Sequence, residues 1–480
     1  MRIIQTFLIA LSPMLVFAQK ENVASPFTAL THVNVIDATG LPVQSNMTVV
    51  INGNRIFALG KTGKVAIPEN AIIINAKGKY LIPGLWDMHM HFFEAFGSND
   101  YRFTLSIVNG VTGVREMWTK MDDMPQVNLW RKQFYEHSGT IPRLGYVGTM
   151  VDGTPPVWPG SDTATTAGQA RLLVQRIKAS GIDFVKVYNN LSREAYFAIG
   201  DESKKLNIPF AGHLPFSILL KEASEAGQQS IEHLTGNNLN IYFDCATLEQ
   251  MVKTALSDSI AAMRLPPIAA MKDALELCDV KKTFTIFQQT AKNGTWQCPS
   301  LVLLKRRSLD DNLLFNSQRL KYIPLLERQR WETKTAVGLK SRTQEQKEAE
   351  LKSFQRAMGI IYQMKKSGIQ FLAGTDVPNH YLYSGFSLHD ELALLVEAGL
   401  TPMEALQTAT INPAIFLGTT DSLGTIEKGK IADMILLDAN PLTDIRNTQL
   451  IKSVFVNGKY LSKKTLQTML LEVEAAANKK

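Results

Sequence analysis

The sequence predicts an α/β fold: a (β/α)8 barrel of the TIM type, joined to a small β-sandwich domain that both ends of the chain form together. In the middle of the chain, short apolar segments alternate with helical stretches, which is typical of a parallel sheet covered by helices. Before residue 84 and after residue 417, β-rich segments and turns replace this alternation. Polar residues end several of the apolar segments, and a parallel barrel would bring such residues to one mouth.

The two flanks of the chain have the pattern of short strands. Residues 47–51 and 55–58 flank an Asn-Gly pair, which predicts a β-hairpin, and 27–36 is β-rich. The same pattern of short strands recurs at 432–437 and 453–460. The predicted division is a signal peptide at 1–18, the first part of the sandwich at 19–83, the barrel at 84–417, and the second part of the sandwich with a C-terminal helix at 418–480.

The middle of the chain supplies the strand-and-helix units of the barrel. Helices are predicted at 167–180, 193–206, 219–226 and 351–367, and strands at 144–148, 183–188, 209–213, 229–233 and 369–376. The run 295–304 is predicted as the seventh strand. The rest of 236–350 is polar and helix-prone, and we expect helical insertions there.

Composition and the N-terminus limit the class of protein. Arg2, a mostly apolar run at 3–17 and a small residue at Ala18 predict a secretory signal peptide, so we expect export to the periplasm or the medium. No second long apolar stretch follows, so no membrane association is expected. The formal net charge of +7 is spread along the chain, which argues against a nucleic-acid partner. The three cysteines form no Cys-x-x-Cys motif.

The candidate functional residues have the chemistry of a metal site. His89 and His91 are one residue apart, so in a strand they point to the same face and can bind one ion. Imidazole and carboxylate groups are preferred ligands of Zn²⁺ and similar cations. Each of the other candidates lies in or directly after a short apolar or β-branched segment: Lys186, His213, His233 and Asp376. The pattern predicts a metal-dependent hydrolase.

The segments that contain these candidate residues resemble the amidohydrolase superfamily of metal-dependent hydrolases. Within it they resemble the imidazolonepropionase-like branch, which includes bacterial Xaa-Pro and Xaa-Arg dipeptidases. Two departures from the family pattern are Gly113, where threonine is common, and Glu116, where aspartate is common. The resemblance covers nearly the whole chain after the signal peptide. It rests on residues 83–91, 110–115, 184–188, 212–213, 232–233, 373–376, 387–392, 408–414 and 424–433.

The resemblance implies two divalent metal ions, expected to be zinc, and assigns a role to each candidate. His89 and His91 would bind one ion, and His213 and His233 the other. Lys186 would be carboxylated on its amine and bridge both ions; alternatively, a buried carboxylate would hold it as a cation. Asp376 would be both a metal ligand and the general base, taking the proton of a hydroxide that bridges the ions and passing it to the leaving nitrogen.

Other residues are weaker candidates. Tyr188 lies two residues after Lys186 on the same strand face, so it is a candidate catalytic donor to an oxyanion or to a substrate carboxylate, with core packing as the alternative. Asp87 is a candidate for orienting a metal ligand. Arg115 is a weaker candidate for the site, and Glu391 is expected to be structural. The proline-rich loop 154–160 is expected to line the substrate cleft.

The preferred interpretation is an exported amidohydrolase that cleaves a small-molecule amide or a dipeptide. Three alternatives stay open at this point. The first is a mononuclear cyclic-amide hydrolase or deaminase, which needs no bridging anion at Lys186. The second is a lactonase or phosphotriesterase, which would share the binuclear site. The third is a secreted binding protein without turnover. The sequence leaves the oligomeric state open, a homo-oligomer included.

Overall fold

The computed structural model describes residues 27–93, 100–136, 141–235, 280–308, 317–339 and 342–479. The predicted signal peptide at 1–18 and most of the predicted insertion before residue 280 lie outside these residues. None of the helices in the described ranges is long and apolar enough to cross a membrane.

Within these described ranges, sixteen strands form two separate sheets. In chain order they are β1 (Thr28–Val35), β2 (Gln44–Asn52), β3 (Arg55–Lys61), β4 (Ile72–Asn75), β5 (Tyr80–Pro83), β6 (Leu85–Met90), β7 (Val111–Glu116), β8 (Arg143–Asp152), β9 (Asp162–Thr163), β10 (Phe184–Val187), β11 (Phe210–Gly212), β12 (Ser230–Glu232), β13 (Trp296–Cys298), β14 (Met434–Leu437), β15 (Ile451–Val456) and β16 (Lys459–Leu461).

The described α-helices lie on the outside of the barrel, and the last of them forms the C-terminal segment. They are α1 (Asp100–Val108), α2 (Met124–Glu136), α3 (Ala167–Ser180), α4 (Arg193–Leu206), α5 (Leu220–Glu225), α6 (Val280–Lys292), α7 (Leu301–Ser308), α8 (Leu325–Leu339), α9 (Gln344–Lys366), α10 (Phe386–Glu397), α11 (Pro402–Thr408), α12 (Ile411–Phe416) and α13 (Lys463–Ala477).

The structure confirms the predicted barrel. Its seven main strands run in the order β13-β12-β11-β10-β8-β7-β6, and all their pairings are parallel. The eighth position is filled by residues 370–377, which form isolated bridges rather than a regular strand. Phe371 pairs with Gln297 on one side, and Val377 pairs with Met90 on the other. The ring of strands is thereby closed, and the C-terminal ends of all its strands share one mouth.

Two barrel helices have the bounds that the sequence predicts, and their caps explain why. Thr166 accepts a hydrogen bond from the Gln169 N–H at the start of α3, and Gly181 ends that helix in the left-handed region at φ +85°. Ser192 caps the start of α4 in the same way, and Asn207 ends it at φ +49°. A capping side chain at the start and a left-handed residue at the end therefore determine where each of these helices begins and ends.

The predicted seventh strand at 295–304 is wrong in its second half. The strand β13 ends at Cys298, and α7 begins at Leu301. Ser300 lies between them with a positive φ of +47°, which breaks the extended backbone. The apolar run after it is too short for periodicity alone to distinguish a strand from a buried helix.

The second sheet combines strands from both ends of the chain, as the sequence predicts. The order is β16-β15-β14-β5-β1-β2-β3, with β4 pairing to β1. The join between the ends is the antiparallel pair of β5 and β14, in which Pro83 faces Met434. The strands enclose their own cluster of buried apolar side chains, separate from the main cluster that surrounds the barrel. Because β6 begins two residues after β5 ends, the sheet holds the first barrel strand in place.

Candidate metal centre

The structure brings the six predicted site residues together at the mouth of the barrel. They are contributed by the C-terminal ends of five strand positions: His89 and His91 with β6, Lys186 with β10, His213 after β11, His233 after β12, and Asp376 with the eighth position. All six side chains are buried. Their proximity is an observation, and their roles as ligands remain predictions.

Asp376 occupies the centre of the group. Its Oδ1 lies 3.1 Å from Nε2 of His91 and 3.4 Å from Nε2 of His89, and its Oδ2 lies 3.7 Å from Nε2 of His233. The backbone at Asp376 is in the left-handed region, with φ +62°, and this conformation interrupts the extended backbone between the bridges of Phe371 and Val377. The Asn379 amide donates to the Asp376 Oδ2 over 2.8 Å. The carboxylate is thereby held against three imidazoles.

A buried carboxylate orients the His89 ring from behind. Nδ1 of His89 donates to Oε2 of Glu232 over 2.8 Å, which leaves the His89 Nε2 lone pair facing Asp376. Glu232 also accepts from Nη2 of Arg115 at 2.8 Å and from the Ser230 hydroxyl at 2.5 Å. Arg115 in turn donates through Nε to the Met88 carbonyl. The ion pair with Arg115 and the hydroxyl donor offset the cost of burying the Glu232 side chain completely.

The sequence analysis missed Glu232 and ranked Arg115 low. The available signal was the alternation of strand residues: Ser230 and Glu232 are two apart on β12, so they share a face, and that face is the barrel interior. The other candidate for this role, Asp87, contacts no imidazole nitrogen among the described residues. It accepts from the backbone N–H of His89 and from the Thr375 N–H and hydroxyl, so it joins β6 to the eighth position.

The His91 side of the centre has a second buried carboxylate. Oε1 of Glu116 lies 3.8 Å from Nδ1 of His91, beyond direct hydrogen bonding. Glu116 accepts instead from the backbone N–H groups of Phe92 and Trp118, over 2.5 and 2.9 Å. Burial raises the pKa of Glu116 to about 7, against the opposing effects of His91 and these N–H donors.

Aromatic rings support the other side of the centre. Nδ1 of His213 donates to Oδ1 of Asn189 over 2.8 Å. The His213 ring lies over Tyr188, with ring centroids 4.0 Å apart, and is 5.1 Å from the His233 ring. The Tyr188 hydroxyl accepts a hydrogen bond from Nε1 of Trp158 over 2.9 Å. This chain of contacts connects the loop after β8 to a candidate metal ligand.

Lys186 lies inside the group of imidazoles. Its Nζ is 3.5 Å from Nε2 of His89 and 5.6 Å from the centroid of the Tyr188 ring, and the residue is only 2% exposed. A lysine amine among neutral imidazoles is costly to bury unless it is paired or modified. The charge of Lys186 contributes to lowering the pKa of His89, His213 and His233, so its amine is near histidines of both predicted ligand pairs, as a bridging ligand would need to be.

The protonation states fit a divalent cation. Burial lowers the pKa of His89 and His213 well below the usual range and that of His233 to about 4, so these imidazoles are neutral at pH 7 with lone pairs to donate. Burial acts to raise the pKa of Asp376, but His233, His91 and Lys186 outweigh it and hold the pKa below its ordinary value. Ligand atoms of His89, His233 and Asp376 lie within 4.8 Å of one another. Neutral imidazoles around an ionised carboxylate are a zinc-class donor set.

Comparison with known proteins agrees with this chemistry. A family model described as "Amidohydrolase family" matches residues 80–461. An imidazolonepropionase of Thermoplasma volcanium is 33% identical over 109 residues, which is 22% of this chain and 26% of that protein. An ochratoxinase of Aspergillus niger is 35% identical over 109 residues, which is 22% of this chain and 20% of that protein. The matched stretches thus span about a quarter or less of these relatives.

Solved structures share the fold over almost the whole chain. A bottromycin amidohydrolase superimposes with a TM-score of 0.71 at 20% identity, covering 94% of this chain and 91% of that one. A Xaa-Pro dipeptidase with methionine bound in its active site gives a TM-score of 0.63 at 18% identity, covering 91% of this chain and 100% of that one. At these identities the likeness concerns the fold.

Proposed function

The chain belongs to the amidohydrolase family, and on that premise we propose that it is an exported, metal-dependent hydrolase that cleaves a carbon–nitrogen bond in a small amide or a dipeptide. The observation that carries the proposal is the position of Asp376, which lies within 3.1–3.7 Å of the Nε2 atoms of three buried histidines. A buried carboxylate in this setting can bind a cation and exchange a proton at the same place.

We propose a binuclear centre. His89 and His91 with Asp376 would hold one divalent cation, and His213 with His233 the other. Lys186 would be carboxylated, since a carbamate anion on its Nζ has two oxygens for two cations and would replace an amine that is costly to bury. The position of the Lys186 amine, 3.5 Å from the His89 Nε2, supports this assignment.

When bound, such cations lower the pKa of a water molecule and polarise the scissile carbonyl. The residues of this chain would perform the proton transfers. Asp376, ionised before the reaction, accepts the proton of the attacking water and then donates it to the leaving nitrogen. The Tyr188 hydroxyl donates to the oxygen on which negative charge develops. The Asn379 amide keeps the Asp376 carboxylate in its orientation during both transfers.

The substrate proposal is a dipeptide or an N-acyl amino acid. It is supported by the family, by the solved dipeptidase fold, and by the expected export of the protein to a compartment where peptides occur. The export itself rests on the predicted signal peptide at residues 1–18. A mononuclear cyclic-amide hydrolase or deaminase is the second candidate, since an imidazolonepropionase is among the relatives.

The metal content of the purified protein decides between one ion and two. We expect elemental analysis to find about two zinc-class ions per chain, with hydrolysis of members of a dipeptide and N-acyl-amino-acid panel. Lys186→Ala should lose at least one ion per chain and most of the activity. Lys186→Arg is the matched control, because it keeps a cation but cannot form a carbamate, so it should fail as Lys186→Ala does. One ion in the wild type, or full metal content in Lys186→Arg, would refute the bridged centre.

A further inference from the structure

Trp158 lies at the edge of the candidate centre and remains exposed. It follows β8, and Trp118 follows β7, so both lie at the mouth of the barrel. Their ring centroids are 6.5 Å apart. Trp158 is 45% exposed and its neighbour Val157 is 43% exposed. A single exposed apolar residue is ordinary, but adjoining apolar groups beside a catalytic cleft indicate a binding surface.

The exposure of Trp158 does not come from a loosely attached loop. The buried carboxylate of Asp152 accepts from three backbone N–H groups, those of Gly153, Val157 and Asn190, over 2.7–2.8 Å. The Asn190 side chain donates to the Pro155 carbonyl over 2.8 Å. A Cβ atom at Gly153 would lie 1.8 Å from the Asn190 carbonyl oxygen, so only glycine permits this close approach. The loop is therefore tied to the segment that follows Lys186 and Tyr188.

The hydrogen bond from the Trp158 indole also restricts the direction in which the Tyr188 hydroxyl can donate. An indole N–H is only a donor, so in the 2.9 Å hydrogen bond the Tyr188 oxygen must be the acceptor. The hydroxyl proton of Tyr188 is consequently directed to an acceptor other than Trp158. Trp158 is thus partly exposed at the mouth, while its nitrogen orients Tyr188, whose ring centroid lies 4.0 Å from that of His213.

We propose that Trp158, with Trp118 and Val157, forms the subsite that selects a substrate with an aromatic side chain. The inference rests on the proposed function, because it assigns the side-chain specificity of that same site. A flat indole face offers a substrate ring stacking and apolar burial that a small side chain cannot use. Binding there would place the substrate against the residue that orients Tyr188.

The test compares substrates within each variant. The dipeptides Phe-Ala, Ala-Phe, Ala-Ala, Arg-Ala and Ala-Arg cover both side-chain positions. We expect the wild type to favour phenylalanine over alanine at one position by at least about tenfold in kcat/KM. Trp158→Ala should reduce this ratio to about one. Trp158→Phe should keep the ratio, because it keeps a ring, but should lower kcat on all substrates because the Tyr188 contact is lost.

Three results would overturn the subsite. They are a wild type with no preference for phenylalanine, an unchanged preference in Trp158→Ala, and a preference for arginine over phenylalanine, which would indicate a cation-binding indole. Leu172→Ala, which removes an exposed apolar side chain on α3 away from the mouth, is the control and should leave every ratio unchanged. If the wild type hydrolyses neither these dipeptides nor the corresponding N-acyl amino acids, the proposed function fails rather than the subsite.

In that case calorimetry would still test the surface without turnover. N-acetyl-L-phenylalanine should bind the metal-loaded wild type at least about tenfold more tightly than N-acetyl-L-alanine. Trp158→Ala should remove the difference. Equal binding of the two probes by the wild type would refute the subsite independently of any reaction.

Discussion

The two halves of the candidate centre are built in different ways. In the inner half, defined by His89, His91, Asp376 and Glu232, side-chain charges are buried and balanced by one another, with Arg115 as the counter-ion of Glu232. In the outer half, defined by His213, Tyr188 and Trp158, two closely packed rings and one indole hydrogen bond connect a candidate ligand to an exposed loop.

This difference suggests that the inner half carries out the reaction and that the outer half recognises the substrate. Buried charges are tolerated only when their partners are already in place, so the inner half must be complete before any substrate arrives. The outer half ends in an exposed indole, where substrates of different shape make different contacts. Substitutions in the inner half should therefore affect all substrates alike. Substitutions at the edge of the outer half should depend on the substrate.

The largest effect is expected for the carboxylate at the centre. Asp376→Asn removes the proton acceptor while keeping the shape of the side chain, so kcat should fall at least about 1,000-fold for every substrate. Steady-state kinetics on two substrates with different side chains measures this, with elemental analysis to detect metal loss. Asp201→Asn, at an exposed position on α4, is the control. A substrate-dependent loss in Asp376→Asn would argue against a shared inner half.

The next effect tests the boundary between the halves. Tyr188→Phe keeps the ring over His213 but removes the hydroxyl, so kcat should fall about 100-fold if that hydroxyl stabilises an oxyanion. KM and metal content should change little. If Tyr188 only packs in the core, kcat would remain near the wild-type value and this role would be excluded.

A smaller effect is expected from the support behind His89. Glu232→Gln leaves a neutral partner for the His89 Nδ1 and leaves Arg115 without its counter-charge, so metal affinity should weaken about 10- to 100-fold. Competition with a chelator measures the affinity. Ser230→Ala, which removes a single donor to the same carboxylate, should have a weaker effect. Equal affinities in Glu232→Gln and the wild type would show that His89 is oriented without this support.

The smallest effect concerns stability rather than turnover. Burial raises the pKa of Glu391 to about 8, against the backbone N–H groups of Val302 and Leu301 that lower it. The folded state therefore holds this proton at pH values where the unfolded chain has lost it. The resulting stability is fully present below about pH 4.5 and decreases as the pH rises through about 8. Urea unfolding midpoints should fall with pH less steeply in Glu391→Gln, which keeps an acceptor for Val302. If the unfolding midpoints of the wild type and of Glu391→Gln changed with pH in parallel, the raised pKa of Glu391 would be contradicted.

Much of the fold could be predicted because local rules decide it. Capping residues set the ends of α3 and α4, and the alternation of apolar and helical segments indicates a parallel barrel. The eighth strand position is different. Its backbone is bent by the positive φ of Asp376, and it is recognisable as part of the barrel only through its bridges to β6 and β13.

The sequence by itself determined the barrel, the sheet shared by both ends of the chain, and the types of side chain available for a metal site. These follow from periodicity and from the chemistry of imidazole, amine and carboxylate. Only the tertiary structure decided that Glu232 and Arg115 support His89 and that Trp158 reaches Tyr188. Glu232 is 143 residues from His89, and no local rule connects residues so far apart in the chain. Such partners meet only when the strands close into a ring.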